Sequence, residues 1–344
     1  MKKLLKVYFC GKDWNKSDIT NFPYREELTK FADIVIDSNA DLLFAKESPS
    51  SMAEFYKLKK SNQIKIFSAT EAVAPNFNEF DFAMGFDPLI YGERYIRRNT
   101  LHRFKNFFNY DLIFEPNLEK REFQLRKPVS FIYSNSDAHK NRDDFYRMLQ
   151  NKLPVDSYGK HLQTIKASSE SSNWRESKIE IEKMYKFSIA IENAYHLGYT
   201  SEKIITSFLA GAIPLYWGNA DIEKDFNPER FINLHNFRTL ELAVDFIVDL
   251  EKKTDQIMSI LKKPILTPTQ LKEYSNFEIE FQNFFENIIE NSTKNKYLAP
   301  LGTFQNSISK TRKYVQGFER ILLFFIKSKN WARRKLNHQK LPNR

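Results

Sequence analysis

Short runs of strand-forming residues alternate with polar or helix-like segments through the first 120 residues of the chain. Four of these runs predict β-strands, at 5–10, 33–36, 41–45 and 64–69. Strands separated by connections of this kind are typical of a parallel sheet whose crossovers are helices. The amino-terminal part of the chain is therefore predicted to be α/β.

A second series of the same kind follows a charged, proline-containing stretch at 115–128, which we interpret as a linker. The predicted strands of this series are 129–135, 187–193, 212–218 and 231–237, and its predicted helices are 143–153, 176–187, 201–211 and 239–253. No repeat of fixed period is visible. Two α/β domains in series, joined by a hinge, are the simplest interpretation.

The composition is that of a folded protein, since 42% of the residues are hydrophobic, 28% are charged and 31 are phenylalanine. The opening residues, MKKLLKVYFCGKDW, become polar too soon for a signal peptide and predict a first strand. Apolar runs stay shorter than the ~18 residues that a transmembrane helix needs. The single cysteine, Cys10, excludes an internal disulfide and is expected to be buried in the first strand. A cytoplasmic location fits these features best.

The formal net charge of +10 resides in the carboxy-terminal tail. Residues 310–344 contain 11 Lys and Arg and a single acid, Glu319, so the rest of the chain is neutral. The main body offers no basic patch, and no nucleic-acid partner is expected. Within the tail, the apolar run at 321–326 is flanked by Lys and Arg. This pattern predicts either an amphipathic helix on an anionic membrane surface or a helix packed across the domains.

The segment at 191–218, IENAYHLGYTSEKIITSFLAGAIPLYWG, places charged residues within core-forming sequence. It predicts a strand, a turn, a helix and a further strand. Thr200 or Ser201 is the expected N-cap of the helix, and Gly211 is the expected glycine at its end.

Glu202 and Lys203 fall in the first turn of this predicted helix. A lysine there opposes the helix dipole by a few tenths to about 1 kcal/mol, but it is useful where an anion binds to the free backbone N–H groups. In doubly wound folds, ligands bind beyond the carboxyl ends of the strands, which is where this turn lies. The alternative is that both side chains form a solvated helix start.

The longer run at 187–237 resembles the signature region of the alpha-1,3/1,4-fucosyltransferases, glycosyltransferase family ten. The positions that match at the right spacing are Glu192-Asn193, Tyr199, Glu202-Lys203, Pro214, Tyr216, Gly218, Pro228 and Phe231. The run at 68–89 is similar to the acceptor-side segment of the family, and the run at 131–146 resembles its Ser-Asn loop and arginine-led helix. The bacterial branch is the most similar.

The resemblance implies an α/β fold of the GT-B type, in which two Rossmann-like domains face each other across a cleft. The expected parts are an acceptor-side domain at 1–122, a GDP-fucose-binding domain at 123–300 and a basic amphipathic helical tail at 301–344. The implied reaction is inverting transfer of L-fucose from GDP-fucose to a GlcNAc-containing glycan, such as N-acetyllactosamine or a lipopolysaccharide O-chain, in an α-1,3 linkage. The tail would attach the enzyme to the cytoplasmic face of the inner membrane.

Two alternatives to this function remain. One is a glycosyltransferase of the same fold with another nucleotide sugar or acceptor. The other is a non-catalytic binder of glycan or nucleic acid at a membrane surface, driven by the basic tail.

The resemblance also assigns donor-binding roles. Lys203 and Arg142 would neutralise the diphosphate as the glycosidic bond breaks. Glu202 would accept hydrogen bonds from the ribose hydroxyls, and Tyr199 and Asn193 would line the pocket. Without a ligand, Arg142 would be an exposed side chain at a helix start and Glu202 a partner of the helix dipole.

Three further residues are candidates. Ser134 and Asn135 belong to the Ser-Asn loop. Glu192, just before the turn, either hydrogen-bonds to the amides of the loop or contacts the substrate.

Transfer with inversion requires a base that takes the proton of the acceptor hydroxyl. Glu71, in the loop after the strand at 64–69, matches the base of the family and would act from the opposite domain. The family has Gly-Glu-Asn at this position, whereas this chain has Thr70-Glu71-Ala72. Glu79 and Asp81 are the fallback candidates.

The implied mechanism requires no cofactor besides GDP-fucose as co-substrate, with Mn²⁺ or Mg²⁺ at most stimulating. The chain contains no Asp-x-Asp motif, and its six histidines show no metal-ligand spacing. His196 alone among them lies near the predicted pocket. There is no Walker glycine loop and no GxGxxG motif, so ATP and NAD lack support.

Overall fold

The computed structural model describes residues 2–12, 14, 22–105, 123–166, 174–294 and 318. The strands of this part of the chain form two parallel sheets. None of its helices combines the length and the apolar character needed to cross a membrane. The predicted tail at 301–344, apart from Phe318, and residues 106–122 of the predicted first domain and linker lie outside the described residues.

The first sheet contains six strands. They are β1 (Lys3–Phe9), β2 (Ala32–Ile36), β3 (Leu42–Ala45), β4 (Ile64–Ser68), β5 (Phe82–Gly85) and β6 (Tyr95–Arg97). Their order is β2-β1-β3-β4-β5-β6, and every neighbouring pair is parallel. The helices of this part are α1 (Arg25–Phe31), α2 (Pro49–Leu58) and α3 (Thr100–Phe104). The four predicted strands are confirmed, whereas the short strands β5 and β6 were not predicted.

The second sheet contains five strands. They are β7 (Lys127–Ile132), β8 (Val155–Tyr158), β9 (Tyr185–Ile191), β10 (Ile213–Trp217) and β11 (Ile232–Asn233), in the parallel order β11-β10-β9-β7-β8. The helices are α4 (Lys140–Gln150), α5 (Trp174–Glu182), α6 (Lys203–Leu209), α7 (Ile222–Asp225), α8 (Leu240–Glu251), α9 (Thr254–Leu261) and α10 (Pro268–Lys294). Because β8 and β9 lie on opposite sides of β7, the strand order reverses there, which is where doubly wound folds bind ligands.

Three predicted boundaries are wrong. The linker predicted at 115–128 overlaps β7, and Phe123 is already fully buried. The helix predicted at 176–187 ends at Glu182, because the residues from 185 onward pair with β7. The strand predicted at 231–237 keeps only the two residues of β11, since the chain then turns into a short 3-10 helix.

Helix α6 differs from the prediction at one end only. Glu202 occupies its N-cap position without a capping side-chain bond, so neither Thr200 nor Ser201 is the N-cap. At the other end, Gly211 adopts a positive φ of 62° and closes a Schellman motif with the last turn, as predicted.

Helix α10 ties the end of the described chain back to the first sheet. It follows the second sheet in sequence, but its apolar face packs into the core around β1, β3 and β4. The residues on this face are Phe277, Phe281, Phe284, Phe285, Ile288 and Ile289. Their spacing of three and four residues is that of one side of a helix.

Candidate functional site

A cavity of about 580 Å³ opens at the carboxyl ends of β7, β8 and β9. Helix α5 and the start of α6 complete its wall. The lining residues are Ile132, Tyr133, Ser134, Asn135, Tyr158, Gly159, Trp174, Ser177, Lys178, Ile181, Asn193, Glu202 and Lys203. Five predicted site residues are thus brought together: Ser134, Asn135, Asn193, Glu202 and Lys203. They meet because parallel strands place their carboxyl ends along one edge of a sheet.

Glu192 holds the buried ammonium group of Lys203. Lys203 Nζ lies 2.8 Å from Glu192 Oε2 and 2.9 Å from Ser201 Oγ. Glu192 is itself fully buried and accepts 2.7 Å hydrogen bonds from the backbone N–H and the hydroxyl of Ser201. Of its two predicted roles, the structure shows the bond to the loop amide. Within the described chain, these partners occupy two of the three N–H donors of Lys203.

The charged groups at the start of α6 stabilise one another in their ionised forms. Burial alone would lower the pKa of Lys203, but the carboxylates of Glu192 and Glu202 hold that pKa above its ordinary value of 10.5. Burial alone would raise the pKa of Glu202, but the ammonium groups of Lys203 and Lys178 outweigh it and hold that pKa below its ordinary value of 4.5. Lys203 and Glu202 therefore stay ionised at neutral pH.

Helix α5 adds a second lysine and an aromatic ring that the sequence interpretation missed. Lys178 is buried, lines the cavity and lies 3.6 Å from Oε1 of the fully buried Glu182. Trp174 lines the same wall and is half-exposed. The i,i+4 spacing of Trp174 and Lys178 puts both on one helix face. This signal was available, but the predicted helix began at residue 176 and left Trp174 out.

Arg142 lies beside the cavity without lining it. Its side chain is buried, and its guanidinium carbon stands 4.8 Å from the ring centroid of Tyr133, a lining residue. Arg142 Nε lies 3.1 Å from Asp143 Oδ1, whereas the buried Nη1 has no hydrogen-bond partner within the described chain. The alternative of an exposed helix-start side chain is therefore wrong. Arg142 therefore places a buried positive charge behind the Tyr133 wall of the cavity.

Tyr199 is not among the residues that line the cavity. Its side chain is buried, and its hydroxyl donates a 2.8 Å hydrogen bond to Glu71 Oε2. Glu71 is exposed and lies just beyond β4 of the first sheet. The predicted base and a residue predicted to bind the donor are thus joined across the two sheets.

The fallback base candidates are structural residues of the first sheet. Asp81 is fully buried, forms a 2.9 Å ion pair with Lys65 and accepts the backbone N–H of the same residue. Glu79 is also buried and accepts a 2.7 Å hydrogen bond from Tyr56. Their burial and their partners leave neither carboxylate open to an acceptor hydroxyl.

Further polar contacts join the loop at 193–201 to the first sheet. His196 Nε2 lies 2.9 Å from Asp87 Oδ1, and the hydroxyl of Thr100 donates to the carbonyl oxygen of Thr200 at 2.6 Å. His196 therefore bridges the two sheets. Among the described residues no group of three His, Cys, Asp or Glu is placed to hold a metal ion.

Comparison with known families adds two matches that together span most of the chain. Residues 123–275 match the family described as Glycosyltransferase family 10 (fucosyltransferase) C-term. Residues 12–133 match the Alpha-(1,3)-fucosyltransferase FucT N-terminal domain.

Individual relatives agree with these matches. The chain is 29% identical to the Alpha-(1,3)-fucosyltransferase FucT of Helicobacter pylori over 269 residues, which is 69% of this chain and 55% of that protein. It is 30% identical to Alpha-(1,3)-fucosyltransferase B of Drosophila melanogaster over 127 residues, which is 35% of this chain and 28% of that protein. The chain thus spans about half the length of the bacterial relative and less of the fly relative.

Solved structures share the fold. A crystal structure of alpha1,3-fucosyltransferase is similar with a TM-score of 0.66 at 26% identity, covering 84% of this chain and 91% of that chain. A crystal structure of alpha1,3-fucosyltransferase with GDP-fucose is similar with a TM-score of 0.65 at 25% identity, covering 85% and 92%. The α/β fold of the GT-B type is thereby confirmed.

Proposed function

The chain belongs to glycosyltransferase family 10, and from this premise we propose that it transfers L-fucose from GDP-fucose to a GlcNAc-containing glycan. The reaction inverts the configuration at fucose C1 and forms an α-1,3 linkage. One observation carries the proposal. The loop between β9 and α6, whose ends Asn193 and Lys203 line the cavity, is joined to the predicted base of the first sheet by the Tyr199–Glu71 hydrogen bond.

The cavity suits a nucleoside diphosphate sugar. Lys203 and Lys178 bring two ammonium groups to it, and the unpartnered N–H of Arg142 lies behind its wall. These cations would stabilise the negative charge that develops on the diphosphate as the glycosidic bond breaks. Glu202 would accept hydrogen bonds from the ribose hydroxyls. The ring of Trp174 would pack against the guanine ring of the nucleotide.

The remaining polar lining residues would orient the donor. Ser134 and Asn135 follow β7 at the cavity mouth, where both side chains are exposed. Asn193 follows β9 and accepts the backbone N–H of His139 with its carbonyl oxygen, which leaves its side-chain amide for the sugar nucleotide.

Glu71 completes the chemistry from the opposite sheet. The acceptor hydroxyl oxygen attacks C1 of fucose while the bond from C1 to the diphosphate oxygen breaks, and the electron pair leaves with GDP. The hydroxyl proton passes to the Glu71 carboxylate. Attack from the face opposite the leaving group inverts the configuration.

The test is transfer by the purified protein. With GDP-fucose and N-acetyllactosamine we expect GDP release and a fucosylated product, whose linkage mass spectrometry and NMR would assign. A panel of GDP-mannose, UDP-galactose and UDP-glucose identifies the donor. The proposal is wrong if GDP-fucose is not consumed with N-acetyllactosamine or lipopolysaccharide glycans and does not raise the melting temperature.

Matched variants assign the residues. Lys203→Met should abolish the rise in melting temperature with GDP-fucose, and Glu71→Gln should keep that rise but lower kcat by at least about a hundredfold. Lys183→Met is the control, because Lys183 is an exposed lysine just after α5 that pairs with Glu180. It should behave like the wild type in both assays.

We also propose that the basic tail at 301–344 binds the enzyme to an anionic membrane surface. The support is the sequence alone, which concentrates the net charge of +10 there beside an apolar run. The full chain should sediment with vesicles containing phosphatidylglycerol in a salt-dependent way, and a chain ending at residue 307 should not. Equal sedimentation of the two chains would contradict the proposal.

A further inference from the structure

The hydrogen bond between Tyr199 and Glu71 supports an inference beyond donor binding. We propose that Tyr199 is a positioning residue for the base, whose hydroxyl fixes the Glu71 carboxylate in the cleft and leaves Oε1 to receive the acceptor proton. The bond to Oε2 is 2.8 Å long. This inference rests on the proposed function, in which Glu71 is the base. The family motif would instead make Tyr199 a lining residue of the donor pocket.

The ring of Tyr199 is held by the first sheet, although its backbone belongs to the second. The side chain is 3% exposed and lies in the same apolar cluster as Ala69 and Tyr95. The rings of Tyr199 and Phe86 form a T-shaped pair with a centroid distance of 5.0 Å. A phenol packed in this way has one orientation, so its hydroxyl is a fixed donor and not a mobile one.

The backbone on either side of Tyr199 is also fastened to the first sheet. Gly198 has a φ of 82°, and a Cβ at this position would lie 2.1 Å from the carbonyl oxygen of Phe86. On the other side of Tyr199, the carbonyl oxygen of Thr200 accepts a 2.6 Å hydrogen bond from the hydroxyl of Thr100. These contacts on both sides leave Tyr199 little freedom to turn away from Glu71.

The loop that carries Glu71 is anchored on its other side by Thr70, one of the two positions that depart from the family pattern. The backbone N–H of Thr70 donates to Glu47 Oε2 at 3.0 Å, and its hydroxyl donates to the same carboxylate. The carbonyl oxygen of Glu71 accepts the N–H of Val73 at 2.7 Å. The backbone of Glu71 is therefore fixed, and Tyr199 is the partner that fixes its side chain.

Burial and nearby charges keep the Tyr199 hydroxyl protonated. Arg103 of α3 and Lys203 of α6 both interact electrostatically with Glu71, and Glu192 is a nearby buried anion. Burial, and then the carboxylates of Glu192 and Glu71, raise the pKa of Tyr199 well above its ordinary value of 10. The phenol therefore keeps its proton at working pH and remains the donor.

In the transfer step, Tyr199 exchanges no atom. The acceptor oxygen forms its bond to fucose C1, the bond from C1 to the diphosphate breaks, and the proton of the acceptor hydroxyl moves to Glu71 Oε1. The hydrogen bond at Oε2 keeps Oε1 turned toward the acceptor throughout. Losing that bond should impair catalysis without impairing donor binding.

Tyr199→Phe tests this, because it removes the hydroxyl and keeps the ring. We expect kcat to fall by roughly tenfold, with the KM for GDP-fucose within about twofold of the wild type. Tyr95→Phe is the matched control. It removes a buried hydroxyl of the same cluster, which donates to the Asp87 carbonyl at 2.7 Å and does not touch Glu71.

A second readout does not depend on transfer. Carboxyl ¹³C NMR of glutamate-labelled protein at neutral pH gives the chemical shift of the Glu71 carboxyl, with its signal assigned by its absence in Glu71→Gln. That chemical shift should change in Tyr199→Phe, which removes the hydrogen bond to the carboxyl, and stay unchanged in Tyr95→Phe. If the wild type moves no fucose but the signal changes in Tyr199→Phe, the proposed function fails and the contact stands. An unchanged signal, or a higher KM for GDP-fucose at unchanged kcat, overturns the role of Tyr199 as a positioning residue.

Discussion

Arg97 and Asp225 form a bidentate ion pair that fastens the first sheet to the second. Arg97 Nη1 and Nη2 each lie 2.7 Å from one carboxylate oxygen of Asp225. Arg97 closes β6 of the first sheet, and Asp225 closes α7 beside the second. Arg97 Nη2 also reaches the carbonyl oxygen of Gly198, in the loop that leads to Tyr199, at 3.5 Å. The pair therefore supports the geometry of the cleft.

Arg97→Lys should lower the stability of the protein although it keeps the positive charge. Lysine cannot make two parallel bonds to one carboxylate, so we expect a loss of about 1–3 kcal/mol in the free energy of unfolding. Urea unfolding measures the loss. The control is Lys224→Gln, which breaks the exposed pair with Asp221 and should cost less than about 1 kcal/mol. Equal losses in the two variants would contradict a special role of the bidentate pair.

Glu192→Gln tests how much the buried ion pair between Glu192 and Lys203 contributes to stability. Glu192 is fully buried, so its neutralisation removes the carboxylate that pairs directly with the ammonium group of Lys203 and should cost about 3–5 kcal/mol of unfolding free energy. A diphosphate would supply the missing anion. GDP should therefore raise the melting temperature of Glu192→Gln by more than that of the wild type. A smaller rise would mean that GDP does not contact Lys203.

The same pair predicts a dependence of stability on alkaline pH. The pKa of Lys203 is raised above 10.5, because the carboxylates of Glu192 and Glu202 outweigh burial. The folded state thus holds this proton more tightly than the unfolded state does. The stabilisation is fully present below pH 10.5 and is lost as the pH rises through the folded pKa, by at most about 1.4 kcal/mol per pH unit. Urea midpoints should fall more steeply above this pH for the wild type than for Lys203→Met.

Features that depend on residues close together in the sequence were predictable. Runs of strand-forming residues predicted β1, β3, β4 and β9. Because these strands are parallel, their carboxyl ends share one sheet edge, and Ser134, Asn193 and Lys203 meet there. Contacts between the two sheets were not predictable. Tyr199 and Glu71 are 128 residues apart, and their meeting depends on how the sheets face each other, which no local pattern encodes.

Burial of charge was equally hard to predict. Arg142 lies within a polar helix start, where an exposed side chain was an open alternative, but it is buried behind Tyr133. The missed strands β5, β6 and β8 have only three or four residues, too few for a period of two to stand out.

Gly198→Ala should displace Tyr199 while leaving its side chain chemically unchanged. Besides the unfavourable φ of 82°, the added Cβ would lie 2.1 Å from the carbonyl oxygen of Phe86, so the loop has to move. We expect about 2–4 kcal/mol of destabilisation and at least about a tenfold loss of kcat. Gly92→Ala is the matched control. Its φ of 53° is also positive, but nothing lies within 4 Å of the added Cβ, so it should cost only about 1 kcal/mol.

Lys178→Met should weaken donor binding and spare the fold. Lys178 lines the cavity beside Glu202, and a diphosphate that loses a charge-assisted hydrogen bond there should bind with a Kd about tenfold higher. Burial raises the pKa of its partner Glu182 despite the nearby ammonium, so that carboxyl can take up a proton when Lys178 is removed. Calorimetric titration with GDP measures the Kd, and Lys183→Met should leave it unchanged. Wild-type affinity in Lys178→Met, together with lost affinity in Lys203→Met, would restrict the diphosphate site to α6 and exclude the α5 wall.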